Sequence, residues 1–462
     1  MEINKIKIGV APVKRSFLSV KEAIHQKNRF MKVIASIDTE AVELIDIDDV
    51  VENGIAFTAA NARAAIEKFR EAGIEALFIP FCDFGEETVA AEIAAAFHLP
   101  TLIWGSRDEQ PNTDAVRWRD TQCGMFAATK VLQRYGITYS YIFNCDTEDS
   151  AFTAGFDKFV RVAAVLRDLR TLRIAKMGDR PSPFMSVQTN EANLIKKIGT
   201  VVVPVSPVQI NQRADALVKE KGEPLIHYYQ DIKSRLDTQS MPDEQVLLTA
   251  AIKIATKEAM EKAGCSVAAF ECWPFYGPFR RFVPCLILGE LADEGMPLAC
   301  ETDINGAVTL AILRACTLYQ TSPFLADLTI RNPQDDNSEL LWHCGPFPYS
   351  LKNPETKASL VAGQERFDLR SGHLSLCRFD EINDEYYLFA GEADTTTGPE
   401  TNGTYVYIKT NNWKRWEEKL MFGPYIHHLG GAYGSYKDVL REVSRYLKLN
   451  FDDPDEQGIY SL

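Results

Sequence analysis

No GxGxxG follows any predicted strand, no Walker A sequence occurs, and no GxSxG elbow is present. The usual fingerprints of dinucleotide binding, of P-loop phosphate binding and of α/β-hydrolase nucleophiles are therefore missing. Neither a hydride-transfer cofactor nor an ATP-driven reaction finds support. No apolar run reaches the length of a membrane span. The N-terminus passes from Lys5 and Lys7 straight into a strand, without the hydrophobic region of a signal peptide. The ten cysteines form no CxxC pair. Several, such as Cys145, Cys285 and Cys300, fall in apolar segments read as strands, where a free thiol behaves as a small core residue. A reduced, cytoplasmic protein is the expectation. Positive charge is in deficit. The net charge of −14 argues against nucleic-acid backbone binding and against docking on an anionic membrane. Short-period repeats and low-complexity segments are absent.

A chain of 462 residues, 46% apolar and 25% charged, is globular in composition and too long for one ordinary core. Its first part alternates apolar strands (6–13, 41–47, 76–81, 101–104, 140–144) with helical runs such as 61–72 and 86–97. The pattern restarts with strands at 172–177 and 200–205, a helix at 191–198, a long helix at 243–263 and a strand ending at Glu271. A helix at 306–318 and strands at 324–330 and 339–343 are read as completing this second unit. Continuous apolar strands separated by helices imply parallel sheets covered on both faces. Beyond about residue 355, short alternating segments separated by turn residues indicate a mostly β region. The fold class is α/β, with two doubly wound parallel-sheet domains and then a barrel-like, mostly β C-terminal domain. The expected boundaries are 1–168, 169–355 and 356–462. A final amphipathic helix spans 435–447, and the acidic tail 452–457 reads as solvated surface.

Carboxylates cluster at predicted strand ends, the edge where open α/β sheets bind ligands. Glu301 and Asp303 follow the apolar segment Pro297-Leu298-Ala299-Cys300 and face the same side if the strand continues. Asp303 reads either as the N-cap of the next helix or as a metal ligand, and Glu301 as its partner or an alternative ligand. Glu271 follows the apolar run 267–270 and precedes Cys272-Trp273-Pro274, so it stands where the chain turns out of the sheet. Seven histidines occur, and three of them follow or precede cleft-like segments. His343 ends Leu340-Leu341-Trp342. His427 and His428 precede Leu429-Gly430-Gly431, where glycines let the backbone approach a ligand. Adjacent residues on an extended chain point opposite ways, so at most one imidazole of the pair is expected at a metal, the other holding structure or touching substrate. Oxygen ligands with one imidazole suit Mn²⁺ or Mg²⁺. Lys14 and Arg15 follow the first strand and are either solvent-exposed charge or a site for substrate hydroxyls or an anion. Trp104 and Trp273 offer flat faces for a sugar ring, or are core.

The segments Ala299-Cys300-Glu301-Thr302-Asp303-Ile304-Asn305-Gly306, Phe270-Glu271-Cys272-Trp273-Pro274 and His427-His428-Leu429-Gly430-Gly431 resemble the L-fucose isomerase and L-arabinose isomerase superfamily. Ala326-Asp327-Leu328 and Trp342-His343-Cys344-Gly345 fit its spacing too, so the likeness covers nearly the whole chain. Fucose-isomerase-type enzymes hold Mn²⁺ with a Glu, an Asp and a C-terminal His. The resemblance places these roles on Glu271, Asp303 and His428, with His343 as a neighbour. It implies aldose–ketose isomerisation of an open-chain sugar, with Glu271 and Asp303 as both ligands and acid/base groups. The implied substrate is L-fucose or D-arabinose, or an anionic sugar such as sulfoquinovose. Arg15, Lys14, Trp104, Trp273, His343 and His427 are the implied substrate contacts. A homotrimer or homohexamer with shared sites is implied. The alternative reading is a non-catalytic sugar-binding protein with a periplasmic-binding-like cleft; the missing signal peptide and the carboxylate–histidine set weigh against it.

Overall fold

Short strands of three to six residues, most of them apolar, seed each α/β sheet, because helices cover both faces and leave no polar side to alternate with. A computed structural model describes residues 5–37, 40–110, 118–273 and 284–456, and the chain divides into two units, Glu2–Arg167 and Asp168–Leu462.

The first unit is built on β1 (Ile6–Val10), β2 (Val42–Ile45), β3 (Ala76–Phe81), β4 (Thr101–Gly105) and β5 (Tyr139–Tyr141). They form one parallel sheet in the order β2-β1-β3-β4-β5. Every residue of β3 and β4 is buried. The strand order reverses between β1 and β3, and the loops leaving those two strands carry Lys14, Arg15 and Asp83.

The second unit opens with a parallel sheet of β6 (Arg173–Met177), β7 (Val201–Val205), β8 (Val267–Phe270) and β9 (Leu298–Cys300), in the order β7-β6-β8-β9. A nine-stranded sheet follows. Its strands are β10 (Phe324–Arg331), β11 (Ser338–His343), β12 (Ser359–Val361), β13 (Gln364–Asp368), β14 (His373–Ile382), β15 (Glu385–Thr396), β16 (Thr404–Lys409), β17 (His428–Tyr433) and β18 (Asn450–Asp452). The run β16-β11-β10-β17-β14-β15 is antiparallel throughout, and β15 pairs again with β16. That last pairing closes a barrel and leaves its strands no free edge.

Three expectations change here. The strands at 324–330 and 339–343 do not complete the parallel sheet but form an antiparallel pair within the barrel. Only residues 332–337 connect them, too few for a parallel crossover. Cys145 lies beyond β5 in a loop and Cys285 begins a buried helix, Cys285–Asp293, rather than either lying in a strand; a short apolar run does not separate these by periodicity. Asp452 and Asp453 are buried rather than solvated, because Lys419 and Arg441 reach them at 2.5 and 2.8 Å. Pro274 and Gln457 lie outside the described residues.

Helix Ile304–Cys316 is buried along its whole length, packed against β8 and β9 on one side and β14 and β17 on the other. A Cβ at Gly430 would stand 2.7 Å from Thr309 Cγ2 and 2.8 Å from Leu313 Cδ1, so glycine is what lets β17 come this close to the helix. Each large apolar side chain buried there contributes about 1.5–3 kcal/mol. The helix thereby fixes the end of β9 against the start of β17. Among the described residues, no helix is long and apolar enough to cross a membrane.

Candidate active site and metal centre

Strand β9 stops at Cys300, and the next two residues, Glu301 (φ 59) and Thr302 (φ 57), are left-handed. Such a conformation costs roughly 1–2 kcal/mol per L-residue, and more for a β-branched one. Thr302 is held there by its N–H to Phe270 O (3.1 Å) and its hydroxyl to Asp179 O (3.0 Å). Alternation therefore does not continue, and Glu301 and Asp303 reach one imidazole from different sides.

That imidazole is His428, which is fully buried. Its Nδ1 lies 2.8 Å from Asp303 Oδ2. Its Nε2 lies 3.1 Å from Glu301 Oε2 and 3.4 Å from Asp327 Oδ1. The register of β10 against β17 sets Asp327 directly opposite His428. His343, at the end of β11, accepts the Cys344 N–H on Nδ1 at 2.9 Å and points Nε2 towards Asp327 Oδ1 at 3.9 Å. His427 Nε2 is 4.0 Å from the same oxygen. Phe184 closes one side, its ring centre 5.5 Å from His427, 5.7 Å from His428 and 6.0 Å from Trp273. Trp273 donates its indole N–H to Glu301 Oε1 at 2.9 Å.

Asp303 serves both as N-cap and as a partner of the site histidine. It caps helix Ile304–Cys316 by accepting Gly306 N–H at 2.9 Å. It also accepts from both terminal nitrogens of Arg378, at 2.5 and 3.1 Å. Arg378, fully buried on β14, donates its Nε to Asp380 at 2.8 Å, and Asn305 donates to the other Asp380 oxygen at 2.9 Å. Burial alone would raise the Asp303 carboxyl, but Arg378 and the His428 hydrogen bond outweigh it and hold it below the usual carboxylate range. Burial works against a charged His428 too, yet the Asp303 carboxylate bonded at Nδ1 and the Glu301 carboxylate beside Nε2 push it up to about 9. Glu301 is lowered despite burial, chiefly by His428. Burial, then the neighbouring His428, lowers His427.

The donor set fits a metal ion. Asp327 Oδ1, His343 Nε2 and His428 Nε2 are buried atoms with no hydrogen-bond partner among the described residues. Neither Glu301 nor Asp327 is paired with a lysine or arginine among the described residues. Asp327, His427 and His428 each offer an atom within 4.8 Å of the others. Carboxylate oxygens with imidazole nitrogen suit a divalent cation of hard or borderline character.

The other expected site residues are placed as follows. Glu271 directly follows β8, where its Oε2 accepts the Asp179 N–H at 3.2 Å. A Cβ at Gly178 (φ +93) would sit 2.1 Å from that oxygen. In the first unit, Lys14 is buried, bonds Arg15 O at 2.5 Å and lies 4.9 Å from the Phe57 ring centre. Arg15 pairs with Glu86 at 3.0 Å and covers Phe84. Trp104 is a core residue of that unit, packed against Phe30 and Phe152. Asp327 and Arg378 were not among the expected site residues. Asp327 follows the apolar run Phe324-Leu325-Ala326 much as Glu271 follows its own strand, and that signal was available in the sequence.

Residues 9–170 match the family model "Fucose/sulfoquinovose isomerase, N-terminal domain". The sulfoquinovose isomerase of Priestia aryabhattai is 26% identical over 376 residues, 79% of this chain and 82% of that protein. The corresponding protein of Alkalicoccus urumqiensis is 24% identical over 362 residues, 76% of this chain and 80% of its own length. That of Clostridium sp. (strain MSTE9) is 23% identical over 286 residues, 62% of each chain. A galactofuranose binding protein of known crystal structure aligns with a TM-score of 0.15 at 11% identity, over 63% of this chain and 81% of that one, too distant to bear on fold or function. Matched along its first part by the family model and over most of its length by relatives named sulfoquinovose isomerases, the chain is similar to the fucose isomerase-like sugar isomerases.

Proposed function

We propose that this chain is a divalent-cation-dependent aldose–ketose isomerase acting on an open-chain, anionic sugar, with Mn²⁺ as the cation. The observation that carries the reading is the meeting of Glu301 and Asp327 at Nε2 of His428, at 3.1 and 3.4 Å, with no basic side chain to balance them among the described residues. Glu301, Asp327 and His428 are the proposed ligands. This set replaces Glu271 and Asp303 as first choice, because Asp303 already caps a helix and receives Arg378 and His428.

A bound cation supplies Lewis-acid stabilisation of the negative charge that develops as the sugar's carbonyl becomes an enediol. The chain's own residues do the rest. Glu301, a carboxylate at neutral pH, takes the proton from the carbon beside the carbonyl and returns it to the former carbonyl carbon, while the hydroxyl proton moves from the neighbouring oxygen to the former carbonyl oxygen. The Trp273 N–H orients that carboxylate. Asp303 and Arg378 fix the ring of His428. Phe184 and Trp273 give the site an apolar wall that limits water around the open-chain sugar.

The names of the relatives support an anionic substrate. The free state of all ten cysteines accords with a reducing, cytoplasmic setting. A homotrimer or homohexamer remains part of the reading. The decisive experiment incubates the metal-stripped protein, then the Mn²⁺-supplemented protein, with a panel of aldoses including sulfoquinovose, and assays ketose. Turnover restored by Mn²⁺ is expected, and full activity in the stripped sample removes the reading. In the same assay Arg15→Ala should slow an anionic sugar far more than a neutral one; equal loss refutes an anion-binding role for Arg15.

A further inference from the structure

Beside the carboxylate–imidazole group lies a row of sulfurs that the proposed reaction does not use. All ten cysteines are free thiols. Four of them, from four separate segments, come together. Cys272 and Cys300, beyond β8 and at the end of β9, are 3.1 Å apart at sulfur. Cys285 at the start of its helix and Cys344 after β11 are 3.4 Å apart. Cys300 and Cys344 lie near enough for each to influence the other's ionisation, which joins the two pairs into one row. Three members of the row are almost fully buried, at 3% for Cys272 and 1% for Cys285 and Cys300, whereas Cys344 is partly exposed.

Cys344 is also the member tied to the site. Its sulfur lies 3.3 Å from Nδ1 of His343, whose other nitrogen points at Asp327. A cysteine on a partly exposed residue, with a second thiol already in contact, is the arrangement in which oxidation stops at a disulfide instead of running on to the sulfinic acid. Cys272 and Cys300 touch as closely, but neither is open to an oxidant from solution.

We propose that Cys344 and Cys285 form a modification site for hydroperoxides, which close the pair into a disulfide. The Cys344 sulfur attacks one peroxide oxygen. The O–O bond breaks, water or an alcohol leaves, and Cys344 becomes a sulfenic acid. The Cys285 sulfur then displaces that hydroxyl, an S–S bond forms, and a second water leaves. Two thiols lose two electrons and two protons, and the hydroperoxide takes up both. Bond formation brings the sulfurs from 3.4 Å to about 2.05 Å. The Cys344 sulfur thereby leaves its contact with His343, and the end of β11 beside Asp327 is disturbed. A dithiol reductant reverses the change.

The test treats the full-length protein with hydrogen peroxide, alkylates the remaining thiols and maps peptides by mass spectrometry with and without dithiothreitol. A Cys285–Cys344 cross-link that disappears on reduction is expected. Exposed Cys123 is the internal control. Oxidation of Cys123 with Cys285 and Cys344 both alkylated intact, or a cross-link between Cys272 and Cys300 instead, overturns the proposal. In Cys285→Ala, and in Cys285→Ser should that variant fold better, the cross-link should vanish and Cys344 should pass to sulfinic acid; an unmodified Cys344 there also overturns it. The mass readout does not depend on what the protein catalyses. A second consequence rests on the proposed isomerase activity: peroxide should lower turnover by roughly tenfold, reversibly, as for other disturbances around a metal's ligands. A cross-link that forms without changing turnover would leave the modification site standing and count against the link through His343.

Discussion

Asp303 and Glu301, two residues apart, hold opposite nitrogens of one imidazole: Asp303 Oδ2 is 2.8 Å from Nδ1 of His428 and Glu301 Oε2 is 3.1 Å from Nε2. The left-handed backbone at Glu301 and Thr302 makes this possible, because it turns the chain between the two carboxylates. A metal-ligating histidine whose other nitrogen is fixed by a carboxylate has its ring orientation and tautomer decided in advance.

Two ligand sets can be separated by affinity alone. Asp327→Asn is expected to weaken Mn²⁺ binding by roughly 100-fold, about 2.7 kcal/mol, with Glu271→Gln changing it only a few-fold. Electron paramagnetic resonance of free Mn²⁺ during titration reads both. Equal weakening would bring Glu271 into the cation's shell.

The Arg378 network is expected to act on stability and on metal affinity by separable routes. Arg378→Ala leaves Asp380 as a buried charge without its cation and Asp303 with His428 as its remaining counter-charge, at a cost of about 3–5 kcal/mol, visible as a large drop in Tm. Asp303→Asn keeps the helix cap, since asparagine caps as well as aspartate. It should leave the protein folded while weakening Mn²⁺ by roughly tenfold. Unchanged Mn²⁺ affinity in folded Asp303→Asn would show that Asp303 does not orient His428 for the ion.

The affinity for the cation should depend on pH. Burial opposes a charge on His428, but Asp303 and Glu301 outweigh it and raise the group to about 9. The proton on Nε2 must leave before that nitrogen binds a metal. Apparent Mn²⁺ affinity is therefore expected to rise by about tenfold per pH unit through the neutral range and to level off above the folded pKa. Titration calorimetry in buffers of differing ionisation heat measures the released proton. A flat profile across that range would exclude His428 from the shell.

Glu339 on β11 offers a stability test away from the site. Burial first, then Glu417, raises its carboxyl to about 7. A raised carboxyl binds its proton more tightly when folded, so stability is full below the unfolded value of 4.5 and is lost as pH rises through about 7. Glu339→Gln removes the charge. It should raise stability at pH above the folded value, by up to about 3 kcal/mol, and give no such gain below the unfolded value. Thermal melts at the two extremes decide it, and equal shifts at both would assign the effect to packing.

Much of the fold was legible because local patterns suffice for it. The apolar runs of β3 and β4, the helix Glu191–Ile198 and the short alternating strands beyond residue 355 all stand where periodicity puts them. Periodicity does not say which sheet a strand joins, so β10 and β11 were read into the parallel sheet although they build the barrel. The site was partly legible. Glu301, Asp303, Trp273, His343, His427 and His428 all lie in or around one group. Asp303, read as cap or ligand, is the cap in this structure and also orients a histidine.

The sequence by itself determined the fold class, the likeness to sugar isomerases and the polar residues placed at strand ends, because these depend on neighbours along the chain. Only the tertiary structure decided that Asp327 stands opposite His428 across two paired strands, and that Arg378, inside an apolar strand, faces Asp303. It also decided that four distant cysteines share one row. Those relations depend on strand register, on a helix buried between sheet and barrel, and on a two-residue left-handed turn. Each is set by packing between segments far apart in the chain, which no local pattern encodes.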